Sequence, residues 1–200
     1  MLCQQVSSTE VRGRCTRCAL RTSPLDACIA GTWFADEPAA WIRHYKYPPR
    51  GIAGSGRDRA RLRALAAESL GWQVLAKPSC VVPVPLHSAR LRLRGFNPAA
   101  SLARDLARAS GAPLAFTLAR VRDTPSQTGL GRAGRRANVR GAFRVSAKSD
   151  FRSRARSAAC VWLVDDVVTT GATLEECARV LRAAGAERVV ALCAARTPAG

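Results

Sequence analysis

The sequence predicts an α/β domain, a parallel twisted sheet flanked by helices, with a small cysteine-rich module ahead of it. From residue 80 onward, short apolar runs alternate with helical patterns, which is typical of parallel strands joined by right-handed crossovers. The first four of the eight cysteines crowd into residues 3–28. A length of 200 residues with 48% hydrophobic content suits a globular domain with an appendage. No apolar run approaches the roughly 20 residues of a membrane helix.

Residues 1–30 form the predicted zinc-finger-like module. Cys15 and Cys18 make a C-x2-C pair, and Cys3 and Cys28 are the further candidate ligands. The start of the chain lacks the apolar segment of a secretory signal, so we expect a cytoplasmic protein. In that compartment a C-x2-C favours metal over a disulfide. Cys28 has a second interpretation, because residues 27–30 also have the pattern of a core strand.

Residues 31–79 are predicted to link this module to the core. We expect, in order, a short strand at 32–34, a helix at 39–47 after Pro38, a loop at 48–56 and a helix at 58–70.

Residues 80–200 form the predicted core. The expected strands are at 80–85, 114–116, 141–145, 161–164 and 188–194, and the expected helices are at 98–109 and 174–184. Asn97 is a candidate N-cap and Gly111 a candidate terminator of the first of these helices. A long, basic, glycine-containing loop is expected at 121–140.

The charge is strongly positive and unevenly distributed. The net charge is +18, of which residues 81–157 carry +13, whereas residues 158–200 carry −1. A field of this kind attracts polyanions or phosphorylated small molecules. The alternative is a solvated basic surface that reflects a composition rich in alanine and arginine.

The stretch from Val161 to Thr173 carries the clearest chemistry. Four apolar residues predict a buried strand, and Asp165 and Asp166 follow at its carboxyl end, where open α/β sheets bind ligands. The small residues of the next loop lead into a helix and offer backbone N–H groups and hydroxyls to a phosphate. Carboxylates accept strong hydrogen bonds from vicinal hydroxyls. The ligand so described is a ribose 5-phosphate.

This stretch resembles the phosphoribosyl pyrophosphate (PRPP) motif of type I phosphoribosyltransferases, which has four hydrophobic residues, two acids and a T-T-G-x-T loop. The resemblance implies the phosphoribosyltransferase fold. It also implies that Asp165 and Asp166 hold the ribose hydroxyls. The 5′-phosphate would be held by the loop residues Thr169, Thr170, Gly171, Ala172 and Thr173.

Further segments resemble the competence protein F (ComF) family. They are Val82–His87 with Arg94–Asn97, Arg122–Leu130 with Arg135–Phe143, and the lysine-bearing segment Ile42–Tyr47. Together they extend the resemblance over nearly the whole chain.

The resemblance places a pyrophosphate loop at Pro85, Leu86, His87, Arg90 and Arg94, and a mobile lid at 121–140 with Gln127 and Arg135. Arginines there, including Arg92, can neutralise a leaving pyrophosphate together with Mg²⁺. Each arginine is equally compatible with a solvated surface. His87 is compatible with either a structural turn or a phosphate contact.

One departure from the family concerns the metal. ComF proteins open with two C-x2-C knuckles, whereas here Cys3 stands alone and Val6 occupies its partner's place. We expect Cys3 to be the second cysteine of a knuckle that begins upstream of this start. Structural Zn²⁺ needs four ligands, so a degraded knuckle is the alternative to bound zinc.

Three functions fit these observations. The first is Mg²⁺-dependent transfer of phosphoribose from PRPP to an acceptor that the sequence does not identify. The second is handling of single-stranded DNA in natural competence, which the resemblance implies and the basic charge would suit. The third is a PRPP-sensing regulator without catalysis.

Overall fold

A computed structural model describes residues 2–3, 23–47, 57, 60–61, 64, 77–124, 132–147, 151 and 160–198. The strands are β1 (Leu2–Cys3), β2 (Ala27–Trp33), β3 (Cys80–Pro83), β4 (Leu118–Arg120), β5 (Phe143–Val145), β6 (Val161–Val168) and β7 (Val189–Arg196). The helices are α1 (Asp36–Lys46), α2 (Ser88–Arg94), α3 (Pro98–Ser110), α4 (Arg132–Val139) and α5 (Ala172–Ala183). No helix among these residues is both long and apolar enough to cross a membrane.

The five-stranded sheet has the order β1-β2-β7-β6-β3, and all its neighbouring strands are parallel. This confirms the predicted parallel α/β architecture. On one side of β6, the pairing with β3 ends at Pro83 and Val164. On the other side, β7 continues the ladder as far as Val168 and Arg196. Residues 165–168 therefore extend beyond the edge strand, at the carboxyl end of the sheet.

Helices cover both faces of the sheet. On one face, α3 and α1 bury apolar side chains such as Leu102 and Ile42 against Trp162 and Val164 of β6. On the other face, α5 packs with the two-stranded antiparallel sheet of β4 and β5 over Val161 and Leu163. Successive residues of β6 thus serve opposite cores, as a strand buried on both faces requires.

The caps of α3 are those that the sequence predicts. The side chain of Asn97 accepts a hydrogen bond from the Ala99 N–H at 3.1 Å. Gly111 closes the helix with a φ of 66°, in the left-handed region that glycine favours. Helix α2, which was not predicted, has caps of the same kind: His87 caps its start and Gly95 ends it.

Two predictions for the middle of the chain are wrong. The strand expected at 114–116 is a single bridge between Leu114 and Val81, and the strand lies instead at β4. The loop expected at 121–140 contains α4, because Val139 is buried in the core. Gln127 lies outside the described residues.

The N-terminal region departs from the predicted module. The strand expected at 32–34 runs from Ala27 to Trp33 and pairs with β7 in the main sheet, so the predicted boundary at residue 30 falls within β2. The backbone of Cys3 pairs with that of Cys28, one strand further out. Cys15 and Cys18 lie outside the described residues, as does most of the helix expected at 58–70. Within that range Ala60, Arg61 and Ala64 are described as helical, and so is Arg57 just before it.

Cys28 occupies the sheet core, which confirms its second interpretation as a strand residue. It is 2% exposed, and the guanidinium of Arg196 donates to its Sγ at 3.4 Å. A hydrogen bond with Cys193 and the charge of Arg196 lower the pKa of Cys28 to about 7. Among the described residues, no three His, Cys, Asp or Glu side chains form a group that could hold a metal ion.

Candidate active site

Asp165 and Asp166 lie on β6, in the part of the strand that extends past β3. Both carboxylates turn back to the backbone. The Asp166 N–H donates to Asp165 Oδ1 at 2.9 Å, and the Val167 N–H donates to Asp166 Oδ1 at 2.7 Å. These bonds fix the orientation of each side chain at the carboxyl edge of the sheet. The remaining oxygen lone pairs can accept hydrogen bonds from a ligand.

The carboxyl of Asp165 has an unusually high pKa. Burial and the neighbouring charge of Asp166 together raise it to about 7, against the opposing effect of Lys46. Asp165 is therefore about half protonated at neutral pH.

A short loop joins the acids to α5. Gly171 is the N-cap of α5 with a φ of 80°, a backbone conformation that suits glycine. Thr170 Oγ1 accepts from the Ala172 N–H at 3.4 Å. Thr169, Thr173 and the first turn of α5 line the adjoining cleft. The predicted loop residues are thus assembled at a helix N-terminus beside the acids, which is an arrangement suited to a phosphate.

The cleft has a volume of about 410 Å³. Among the described residues, four cationic side chains line it together with Asp165: Lys46, Arg90, Arg120 and Arg135. Arg90 and Arg135 were predicted as phosphate contacts. The Arg90 guanidinium donates to the Thr124 carbonyl at 2.7 Å. It also lies 3.7 Å from Asp123 Oδ1. A cleft with several cations around a pair of acids can bind a ligand that combines phosphates with hydroxyls.

Arg120 was missed by sequence reasoning. It is the last residue of β4, its guanidinium lies 5.4 Å from the centre of the Phe143 ring, and it donates to Thr124 Oγ1. Burial and the charge of Arg90 lower its pKa. No sequence signal marks it, because the strand that it ends was expected at 114–116 and not at β4.

Lys46 belongs to the segment Ile42–Tyr47, which resembles the ComF family, but the sequence did not assign it to the site. It ends α1, and its Nζ lies 2.9 Å from Asp166 Oδ1. Nothing in the local pattern of residues 42–47 shows that this lysine reaches an acid 120 positions further along the chain.

Not all of the predicted pyrophosphate residues line the cleft. The Arg94 guanidinium donates to the Tyr47 hydroxyl at 2.9 Å and lies 4.8 Å from the centre of that ring. His87 caps α2 through Nδ1, which accepts from the Ala89 N–H at 3.4 Å and lies 3.6 Å from Asp123 Oδ1. His87 therefore has a structural role at this turn, as the cap of α2, and its ring lies close to the carboxylate of Asp123.

A second cavity of about 790 Å³ is lined by other residues of α2, Leu91 and Arg94. It is mainly apolar and contains Pro85, Leu86 and Arg94 of the predicted pyrophosphate loop. Its lining also includes three aromatic rings and a second arginine: Tyr45, Phe96, Phe116 and Arg104. The short helix α2 thus contributes residues to both a cationic cleft and a mainly apolar cavity.

Comparison with known proteins agrees with this fold. A model of the phosphoribosyl transferase domain family matches residues 92–200. The chain is 38% identical over 136 residues to competence protein F of Haemophilus influenzae, an alignment that covers 66% of this chain and 57% of that protein. It is 31% identical over 186 residues to the DNA utilization protein YhgH of Salmonella typhimurium, covering 92% and 78% of the two chains. For YhgH of Escherichia coli K12 the identity is 30% over 201 residues, covering 98% and 84%.

Proposed function

Because this chain belongs to the competence protein F family of phosphoribosyl transferase-domain proteins, we propose that its cleft binds PRPP together with Mg²⁺. The observation that carries this proposal is the placement of Asp165 and Asp166 on the strand that leads into the loop at the start of α5. Asp165 lines the cleft together with Lys46, Arg90, Arg120 and Arg135, and Asp166 pairs with Lys46 beside it. That set of groups matches the parts of PRPP, which are a diol, a phosphate and a diphosphate.

In the proposed complex, the acids accept hydrogen bonds from the ribose hydroxyls, and the backbone N–H groups of the loop bind the 5′-phosphate. Arg90, Arg120 and Arg135 face the diphosphate. The Mg²⁺ ion would be held by the oxygens of PRPP itself and by water, as is usual for phosphate ligands. When bound, it would neutralise part of the diphosphate charge.

Phosphoribosyl transfer to an acceptor would follow from this arrangement. The acceptor would attack C1 of the ribose, and the bond from C1 to the diphosphate oxygen would break with its electron pair going to pyrophosphate. The negative charge that develops on that oxygen is what fixed guanidinium groups stabilise. The alternative within the same site is a sensor that binds PRPP without transfer.

Thermal denaturation with PRPP and Mg²⁺ tests the binding site. At a ligand concentration of 100 times Kd, binding adds about 2.7 kcal/mol to the free energy of unfolding. For a chain of this size, that corresponds to a rise in Tm of about 5–10 °C. We expect the rise to require Mg²⁺ and to disappear in Asp165→Asn/Asp166→Asn.

The matched control is Glu187→Gln, which removes an exposed carboxylate before β7 and should keep the full shift. An unchanged Tm for the parent protein with PRPP and Mg²⁺ would rule out the proposed site. Where a shift is found, release of pyrophosphate with candidate acceptors separates an enzyme from a sensor.

A second candidate function, handling of single-stranded DNA, is favoured by the cavity beside α2. Phe96 and Phe116 line this same cavity, and Phe116 is 59% exposed, whereas Phe143 is buried. Arg94 and Arg104 supply positive charge at its lining. Exposed aromatic rings with arginines are the elements that bind single strands by base stacking and phosphate neutralisation. The names of the relatives, competence and DNA utilization, agree with this role.

Fluorescence anisotropy with a labelled oligothymidine tests the second candidate. Base stacking is worth about 1–3 kcal/mol per base, so Phe116→Ala should weaken binding about five-fold or more. Arg104→Ala should weaken it too and flatten its dependence on salt. Leu93→Ala and Arg188→Ala alter exposed residues outside the cavity lining and should bind like the parent. Equal losses in Arg104→Ala and Arg188→Ala, with no loss in Phe116→Ala, would point to diffuse charge rather than to this cavity.

A further inference from the structure

The end of α1 brings a cation into the cleft from outside the segment that matches the transferase family. Lys46 precedes the matched residues 92–200, yet its Nζ lies 2.9 Å from Asp166 Oδ1. The two side chains are only 21% and 12% exposed. An exposed ion pair of this length would contribute little, but partial burial strengthens the attraction because water screens it less.

The residues on either side of Lys46 fix the end of the helix. Tyr45 is buried, and its ring meets that of Phe96 edge to face, with centroids 5.2 Å apart. Tyr47 accepts the hydrogen bond from Arg94 described above. With both neighbours held by the segment that leads from α2 into α3, the side chain of Lys46 is directed at the acids.

The electrostatic surroundings of the acids make this lysine consequential. Besides Lys46 from α1, Arg120 from β4 acts on Asp165 and lowers its pKa, while Asp166 raises it. From α5, the Cys177 thiol faces Asp165, and burial raises the pKa of that thiol well above its ordinary value, so it adds no charge at neutral pH. Of these groups, Lys46 is the one within ion-pair distance of Asp166.

We propose that Lys46 is a positioning residue for the paired acids: it holds the Asp166 carboxylate in place and balances the pair's negative charge, so that both side chains can accept ribose hydroxyls. This makes α1 part of the binding site. The role of Lys46 in the ligand-free protein stands on the ion pair alone, whereas its effect on the ligand rests on the proposed function.

The ligand-free protein provides the first test. Carbon-13 NMR of labelled aspartate carboxyls, assigned with Asp165→Asn and Asp166→Asn, follows the titration of the pair. An opposite charge at this distance shifts a carboxyl pKa by about one to three units. We therefore expect Lys46→Met to raise the apparent pKa values of the pair by about one unit or more. Lys46→Arg should stay close to the parent, and so should Lys77→Met, which removes an exposed lysine.

Binding of PRPP with Mg²⁺ at two pH values provides the second test. Lys46→Met should lose much more affinity at pH 6.5 than at pH 8.5, because the pair would hold a proton at the lower pH. A merely structural role would reduce affinity equally at both. Circular dichroism establishes that each variant is folded. Lys46→Gln, which also removes the charge, replaces Lys46→Met if that variant does not fold.

The outcomes separate the two proposals. An unchanged titration in folded Lys46→Met overturns the role of Lys46, whatever PRPP does. Absence of PRPP binding in the parent overturns the proposed function, while the titration still decides the role of Lys46. Equal affinity losses at both pH values also count against positioning by charge.

Discussion

At the scale of single residues, Asp165 links the site to the stability of the fold. Its pKa is about 7 in the folded protein, against an ordinary 3.8. Between these values the folded state holds a proton that the unfolded state has lost. The contribution of this group to the free energy of unfolding is therefore greatest below about pH 4. It falls as pH rises and is lowest above pH 7. The proposed complex with PRPP uses the ionised carboxylate, which is the form that destabilises the ligand-free protein.

Asp165→Asn should accordingly stabilise the ligand-free protein. Above pH 7 the substitution removes a buried charge beside Asp166, whereas at pH 5 the folded parent is already neutral at this position. We expect the Tm of Asp165→Asn to exceed that of the parent at pH 8 by several degrees, since about 1 kcal/mol corresponds to about 2–4 °C for a domain of this size. The difference should shrink at pH 5.

The measurement is differential scanning calorimetry at both pH values, with Asp36→Asn as a control at an exposed position. A lower Tm for Asp165→Asn at pH 8 would contradict the buried-charge argument.

The acids and the loop after them could be predicted from sequence because they are contiguous, so that one strand-to-helix turn carries them all. Lys46 and Arg120 could not, because they come from separate elements and meet the acids only through the tertiary fold. Arg94 shows the converse. It has the residue type and sequence position of a phosphate contact, but its side chain lies against Tyr47.

At the scale of elements, the boundaries that sequence reasoning missed are those set by partners. The apolar run of β6 stops at Val164, yet the strand continues to Val168 because β7 supplies its ladder. Helix α4 is polar and contains Gly134, so its own periodicity does not predict a helix. It forms against α5, where Arg136 donates to Glu175 Oε2 at 2.7 Å. Asn97 and Gly111 were predictable because capping is a local interaction.

Glu176 joins α5 to the turn between α4 and β5. Its carboxylate, 9% exposed, accepts from the Gly141 N–H at 2.7 Å and from the Arg179 guanidinium at 2.7 and 3.0 Å. The hydrogen bond from Arg179 lowers the pKa of Glu176, with a further contribution from Gly141. Glu176→Gln should cost about 1–3 kcal/mol at pH 7, because a buried hydrogen-bonded charge is lost.

Chemical denaturation at several pH values measures this effect. Because the folded pKa is lowered, the contribution of Glu176 is present above its ordinary pKa of 4.5 and is lost as pH falls through the folded value. Glu175→Gln breaks the pair with Arg136 at a more exposed carboxylate, whose side chain is 20% exposed against 10% for Glu176, and should cost about 1 kcal/mol or less. Equal costs for the two variants would argue against a special role for Glu176.

At the scale of the whole molecule, the parallel sheet was predictable because strand and helix patterns alternate from residue 80 onward. The place of β2 was not, since its cysteine and its position near the C-x2-C suggested a separate module. In the structure β2 covers the edge of β7, with Asp26 accepting from the Val189 N–H at 2.7 Å and from Arg182 at 2.6 Å. An N-terminal strand thus completes the core that the last strand and helix begin.

This pairing has a consequence for how the chain folds. The bond between Asp26 and Val189 spans 163 residues, and every ladder contact of β2 with β7 is of similar range. During synthesis, β2 leaves the ribosome long before β7 has been made. Until then, the apolar residues of β2 cannot pack against β7. A topology dominated by such distant contacts folds slowly, because a large loop must close before the contact is gained. The nascent chain is therefore exposed to aggregation through β2 until β7 emerges.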